Sequence, residues 1–171
     1  MSAGLLPADI DQLAARVVAE NRAAGRMITT AESCTGGLVA GAITEIAGSS
    51  AVLDRGFVTY SNEAKMEMLG VASDIIETFG AVSIACVWAM AQGALARSKA
   101  DVAVAISGVA GPGGGSQLKP VGTVVFARAY RDQTSEEEGE LKFFEGGDDP
   151  EQARAVIRRQ ATLCALELLL P

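Results

Sequence analysis

Apolar residues near the start of the chain recur at helical spacing. Ile10, Leu13, Val17 and Val18 fall on one face over residues 7–24, which predicts an amphipathic helix closed by Gly25 as a C-terminal cap. Residues 27–31 read as a short buried strand, 32–37 as a turn, and 37–47 as a helix of small residues broken by Gly48-Ser49-Ser50. A strand is predicted over 52–61, centred on Phe57, Val58 and Tyr60, then a short helix over 62–69 with Asn62 as its cap. A second short helix spans 73–79, and Ser83 is the natural N-cap of a long helix ending near residue 99. DVAVAIS at 101–107 is the clearest buried strand, β-branched and nearly continuous, as parallel strands tend to be. A Gly/Pro loop over 108–120 leads to a strand at 121–130, whose length suggests pairing with 101–107. Residues 131–139 read as a solvated connection, 141–144 as an edge strand, and 150–170 as a last helix. Helices alternating with strands predict one α/β domain over residues 1–171, its sheet covered on both faces.

Composition narrows the chemistry. The chain has 171 residues and no histidine, so a Ser-His-Asp triad, a Cys-His dyad and an HExxH zinc site are excluded within it. Acid–base work near neutral pH falls to another residue type. With 14 Lys+Arg against 21 Asp+Glu the net charge is −7, a poor surface for a nucleic-acid backbone. A local pocket can still oppose that charge and take a small anion, and part of the acidity is concentrated in Glu136-Glu137-Glu138. Cys34, Cys86 and Cys164 are far apart and lack CxxC spacing, so structural zinc is not expected and reduced thiols in a cytosol are. The first residues lack the pattern of a signal peptide, and no stretch is apolar and long enough to span a bilayer. No membrane association is expected.

Three loops are candidates for chemistry. The turn Glu32-Ser33-Cys34-Thr35-Gly36-Gly37 joins a buried strand to a helix, the place where open α/β sheets bind ligands. The helix's first N–H groups are unsatisfied and carry partial positive charge. Ser33 there would have oxyanion donors at hand, and Gly36 and Gly37 let a substrate approach the main chain. Ser33 or Thr35 serving as an ordinary N-cap is the alternative that local sequence favours. Cys34 is a rival nucleophile at the same turn, unless it is a small buried hydrophobe. Cys86 and Cys164 lie on apolar helix stretches and are read as buried.

The second loop, Tyr60-Ser61-Asn62-Glu63-Ala64-Lys65, puts Asn62 and Lys65 on one face of a helix. Lysine can replace histidine as a base when burial depresses its pKa. Ser33 with Lys65 would then form a dyad, with Tyr60 relaying a proton or orienting the amine. A solvated helix lysine is the bland alternative. The third loop runs from Ser107 and Gly108 through Gly111, Gly113 and Gly114 to Ser116. Its glycines suit an anion nest or a flexible hairpin, and it fits neither a Walker A loop nor GxGxxG. Lys119 either meets a phosphate or faces water. Trp88, Met90 and Leu95 read as core, and Arg154, Arg158 and Arg159 as surface charges.

Together, TAESCTGG at 30–37, GSSAVLDRGFVTYSNEAK at 48–65, GAVS at 80–83 and SGVAGPGGG followed by KPVGTV resemble one family. It is the C-terminal domain of the competence/damage-inducible protein CinA, a domain that also exists as a stand-alone nicotinamide-nucleotide amidase. The likeness covers 27–126 strongly and weakly the last helix through Arg158-Arg159-Gln160-Ala161. It implies a three-layer α/β/α domain that hydrolyses the amide of nicotinamide mononucleotide to nicotinate mononucleotide and ammonia, in pyridine nucleotide recycling. It further implies Ser33 as nucleophile, Lys65 as base and Tyr60 nearby, in a cytoplasmic homo-oligomer without metal or other cofactor. Substrate is expected against Thr35, Gly36, Gly37, Asn62, Ser107, Gly108, Gly111, Gly113 and Gly114, with N–H groups around 35–37 as the oxyanion donors. The pyrophosphatase activity linked with the larger N-terminal domain of full-length CinA proteins is not expected. One departure is Ile84-Ala85-Cys86 after GAVS, where the family more often has acidic residues; it touches a helix surface or an oligomer contact rather than the chemistry. The alternatives are a non-catalytic nucleotide-binding or interaction module of the same family, and an amidase acting on another small carboxamide.

Overall fold

The computed structural model describes residues 4–132 and 138–171. The chain runs α1 (Ala8–Ala23), β1 (Ile28–Glu32), α2 (Leu38–Glu45), a single 3₁₀ turn (Ser49–Ala51), β2 (Leu53–Val58), α3 (Asn62–Leu69), α4 (Ser73–Phe79) and α5 (Ile84–Ala96). It continues through β3 (Val102–Gly108), β4 (Thr123–Tyr130), β5 (Glu138–Phe143) and α6 (Ala153–Leu168). The strands form one five-stranded sheet in the order β2-β1-β3-β4-β5. β1 is parallel to both its neighbours, and β4 and β5 are antiparallel to theirs. The predicted α/β/α architecture is thus present, with a mixed sheet.

Alternation along the central strands sorts side chains into two unlike cores. Val102, Val104 and Ile106, with Val124 and Phe126, pack under α1, α2 and α6. The opposite face is alanine-rich: Ala103, Ala105, Ala127 and Ala129 meet Cys86, Val87, Met90, Ala91 and Ala94 of α5. Small residues on both surfaces let α5 lie close to the sheet. Met90 and Leu95 are core as expected, whereas Trp88 is half-buried at the edge of that cluster. Cys86 and Cys164 are buried free thiols.

Several boundaries differ from the sequence reading, for local reasons. Asn62 is the first helical residue of α3; Ser61 is the cap, its Oγ accepting from the Ala64 amide at 3.0 Å. The predicted strand over 52–61 stops at Val58 because the next three residues turn their carbonyls toward one side chain, described below. Ser83 caps α5 as expected, accepting from the Cys86 amide at 3.1 Å. Residues 150–152 precede α6 as a turn rather than its first residues. Of the connection read over 131–139, residues 133–137, including Glu136 and Glu137 of the acidic run, lie outside the described residues; Glu138 and Gly139 open β5.

The crossovers matter for function. The β1–α2–β2 connection lies on one face, and the helices between β2 and β3 lie on the other. The chain therefore diverges between β1 and β3, and a crevice opens at their carboxyl ends.

Tight packing of α5 yields a stability prediction. A Cβ on Gly93 would stand 2.0 Å from the Leu69 carbonyl oxygen, whereas one on Gly41 of α2 would meet nothing within 4 Å. Gly93→Ala is expected to lower stability by about 1–3 kcal/mol, and Gly41→Ala to raise it by about 0.5–1 kcal/mol, both read by urea unfolding. Equal effects at the two sites would contradict the packing described.

Candidate active site

Ser33 is delivered by the end of β1. Its amide donates to the Ile106 carbonyl at 2.9 Å, extending the β1–β3 ladder by one residue, and its carbonyl accepts from the Gly36 amide at 3.0 Å. Gly36 and Gly37 then take φ of 58° and 97°, left-handed values that suit residues without a Cβ. The reversal brings α2's N-terminus back against Glu32. That carboxylate is fully buried and accepts from the amides of Gly37 (3.2 Å), Val39 (3.0 Å) and Ala40 (3.0 Å). These are charge-assisted bonds at the positive end of a helix.

The Glu32 contacts correct the expected oxyanion site. The amides of Gly36 and Gly37 are already engaged, one by the Ser33 carbonyl and one by Glu32. The amides of Cys34 and Thr35 have no carbonyl partner among the described residues. Arg158 of α6 braces the same turn, its Nε donating to Cys34 O, the carbonyl of the peptide that carries the Thr35 amide, at 3.0 Å and its Nη2 to Thr35 O at 3.2 Å. The sequence argument treated the helix N-terminus as vacant, and the chain's own carboxylate fills it.

Lys65, on the first turn of α3, points inward and is 1% exposed. Its Nζ lies 3.0 Å from Ser33 Oγ, 2.9 Å from Thr59 O, 3.3 Å from Tyr60 O and 3.5 Å from Ser61 O. Among the described residues no carboxylate is within ion-pair reach of this amine. Burial holds its pKa below the ordinary 10.5, because desolvation penalises the ammonium form. A neutral amine has two N–H donors and one lone pair. Thr59 O and Tyr60 O can take the donors, which leaves the lone pair for the Ser33 hydroxyl.

Cys34 is placed differently from its neighbour. It is 5% exposed and packs in the core under α1, α2 and α6, and burial pushes its thiol up to about 11. A thiol held protonated is a poor nucleophile near neutral pH.

A cavity of about 270 Å³ opens over the dyad, lined by Ser33, Cys34, Tyr60, Asn62, Lys65, Ala81, Val82, Ser107, Gly108, Ala110 and Arg154. The structure thus brings the first two loops, the start of the third and the GAVS segment to one place. Thr35, Gly36, Gly37, Gly111, Gly113 and Gly114 are not part of the lining. Gly113 and Gly114 are exposed. Lys119 turns from the cavity too, donating to Phe79 O at 2.7 Å at the end of α4. Tyr60 contacts the amine through its main chain, while its hydroxyl accepts from Arg154 Nη2 at 3.2 Å.

Arg154 is the lining residue that sequence reasoning missed. It extends from the first turn of α6, where Nη1 donates to Gly111 O. The three arginines read as surface charges have three fates: Arg154 lines the cavity, Arg158 braces the Ser33 turn, and Arg159 pairs with Asp9 at the surface. The i,i+4 spacing of Arg154 and Arg158 was the available signal. Among the described residues the lining holds two basic side chains, Lys65 and Arg154, and no carboxylate, in contrast to the chain's net charge of −7. Among the described residues no cluster of three or more His, Cys, Asp or Glu side chains is placed to hold a metal ion, and no helix is long and apolar enough to cross a membrane.

Comparison with known proteins adds a second line of observation. Residues 10–171 match the family described as the CinA C-terminal domain. A protein of Escherichia coli (strain K12) named nicotinamide-nucleotide amidohydrolase PncC is 52% identical over 163 residues, covering 94% of this chain and 93% of its own length. A protein of the same name from Enterobacter agglomerans is 57% identical over 123 residues, 72% of this chain and 75% of its own. The crystal structure of the competence/damage inducible protein CihA from Agrobacterium tumefaciens superposes with a TM-score of 0.88 at 50% identity, covering 99% of this chain and 97% of that one.

Phosphonylation of Ser33 by a fluorophosphonate is expected to accelerate with rising pH along a limb below 10.5. Only the neutral amine can take the hydroxyl proton, and its fraction grows as pH rises through the lowered pKa. A labelling rate flat from about pH 6 to 10 would contradict this assignment. Alkylation of Cys34 in the folded protein at about pH 8 is expected to be slower than that of cysteine in an unstructured peptide.

Proposed function

Because the chain belongs to the CinA C-terminal domain family, we propose that it hydrolyses the carboxamide of nicotinamide mononucleotide to nicotinate mononucleotide and ammonia. The observation that carries this reading is the buried pair Ser33 Oγ–Lys65 Nζ, 3.0 Å apart at the floor of a cavity free of carboxylates. The names of the relatives, nicotinamide-nucleotide amidohydrolases, supply the substrate.

In the proposed mechanism neutral Lys65 removes the Ser33 proton as Oγ attacks the carboxamide carbon. The developing oxyanion is stabilised by the amides of Cys34 and Thr35, on a turn that Arg158 braces through the Cys34 and Thr35 carbonyls. One such donor contributes about 2.7–4 kcal/mol in a well-studied protease. Lys65 returns the proton to the departing nitrogen, and ammonia leaves. Water, deprotonated by the same amine, then opens the acyl-serine and releases the nicotinate product. Tyr60 orients the amine by its carbonyl and the Arg154 guanidinium by its hydroxyl. Arg154 meets the 5′-phosphate, with Asn62, Ser107 and Gly108 along the ribose. The residues of the third loop beyond Ala110 act at most on the rim. This chemistry would return a nicotinamide nucleotide to the pyridine nucleotide pool. The three buried free cysteines accord with a cytosolic setting.

Ammonia release from nicotinamide mononucleotide tests the assignment. Ser33→Ala is expected to lower kcat/KM by about 10³-fold or more and Lys65→Ala by about 10²–10⁴-fold, whereas Cys34→Ala retains activity. Arg154→Ala is expected to raise KM for the nucleotide far more than for nicotinamide riboside, which lacks the phosphate. Turnover that survives Ser33→Ala but not Cys34→Ala would transfer the nucleophile's role to the thiol.

A further inference from the structure

The free edge of the sheet carries a pattern that the catalytic site does not use. β5 is terminal in the strand order, hydrogen-bonded to β4 on one side only among the described residues. It contains no proline and no bulge, two devices by which proteins blunt an exposed edge. The Phe144 amide donates to Gly122 O at 2.8 Å. By the alternation of an antiparallel ladder, Lys142, Glu140 and Glu138 also turn their backbone groups to β4. Gly139, Leu141 and Phe143 therefore present theirs outward. The same three residues face the α5 side of the sheet, where Leu141 is 54% and Phe143 56% exposed. Gly139 sits against Ile84, itself 45% exposed. On the other side Glu140 and Lys142 form an ion pair at 3.2 Å.

We propose that this edge is a two-fold interface at which β5 pairs antiparallel with β5 of a second copy of the chain, centred on Leu141, to make one continuous ten-stranded sheet. In that register Leu141 faces the partner's Leu141, and Gly139 faces the partner's Phe143. These are the residues whose backbone groups point outward, so each facing pair exchanges both N–H···O bonds. Glu140 then stands opposite the partner's Lys142, and Lys142 opposite the partner's Glu140, in non-hydrogen-bonded positions where side chains approach most closely. The exposed Phe143 ring covers the partner's Gly139 beside Ile84, an aromatic filling the space over a strand glycine.

Charge selects the centre. A two-fold on Glu140 or on Lys142 sets like charges face to face, and one on Gly139 sets Glu138 opposite the partner's Glu140; all are unfavourable. A two-fold on Phe143 runs off the end of the strand. The β5 sequence is thus self-complementary about one residue, as an isologous interface requires. None of these residues lines the catalytic cavity, so the inference stands or falls independently of the amidase reading.

Sedimentation of the full chain tests the pairing, with far-ultraviolet circular dichroism reporting that each variant is folded. The wild type is expected to be a dimer. E140K and K142E each oppose like charges twice across the two-fold and are expected to weaken self-association about tenfold or more. The double variant E140K/K142E restores the opposite-charge arrangement and is expected to dimerise like the wild type. Mixing E140K with K142E is expected to give a heterodimer although each alone dissociates, which also shows that both are folded. A monomeric wild type would overturn the proposal. So would an oligomer indifferent to the single substitutions, or a mixture that forms no heterodimer.

Discussion

The interaction on which most of this structure depends is a lysine amine buried with no carboxylate in reach among the described residues. Taking an ammonium out of water is expensive, and an unpaired one more so. Lys65 meets that constraint with oxygens alone: the Ser33 hydroxyl and the carbonyls of Thr59, Tyr60 and Ser61. To offer those carbonyls, the chain leaves β1 after a last bond from the Thr59 amide to Glu32 O and turns before α3 begins. Ser61 makes the turn tenable by capping α3. The amine thus dictates where β2 ends, where α3 starts and which way both face. Reactivity follows from the same constraint, since the depressed pKa that burial imposes is the property a general base needs.

A second buried group shapes the other half of the site. Glu32 is the last residue of β1, and its carboxylate occupies the N-terminus of α2 through three amides. A helix N-terminus beside a nucleophile suggests a vacant anion site. Here the protein has satisfied that site itself, which stiffens the Ser33 turn and moves the free donors one peptide back, to Cys34 and Thr35. Arg158 completes the arrangement from α6, more than a hundred residues later in the chain. A negative charge locks the helix, a positive charge locks the turn, and the serine sits between them.

Much of this was legible beforehand. The central strand DVAVAIS, the Ser83 cap, the pairing of β3 with β4 and the edge position of β5 follow from period, cap chemistry and length. The absence of histidine drew attention to Lys65, which lies 3.0 Å from Ser33 Oγ, and Ser33, Tyr60, Asn62, Lys65, Ser107 and Gly108 do converge on one cavity. Asn62 as a cap and the vacant helix N-terminus did not match the structure, because Ser61 caps α3 and Glu32 fills the start of α2. Gly111, Gly113 and Gly114 are not part of the cavity lining, and Arg154 holds the Gly111 carbonyl.

By itself the sequence determined the layers of the fold and the chemical types available to the site, because hydrophobic period and side-chain inventory are local properties. It also determined the self-complementary order of charges along β5. Tertiary structure decided which of three similar arginines lines the cavity, which braces the turn and which pairs at the surface. It decided likewise that Cys34 packs into the core under α1, α2 and α6, with burial holding its thiol protonated, while the hydroxyl of Ser33, its neighbour, meets the Lys65 amine. Spacing along a chain records which residues share a helix face. Whether that face meets solvent, a carbonyl or a cavity depends on segments distant in sequence, and so does the pKa of an amine that burial lowers.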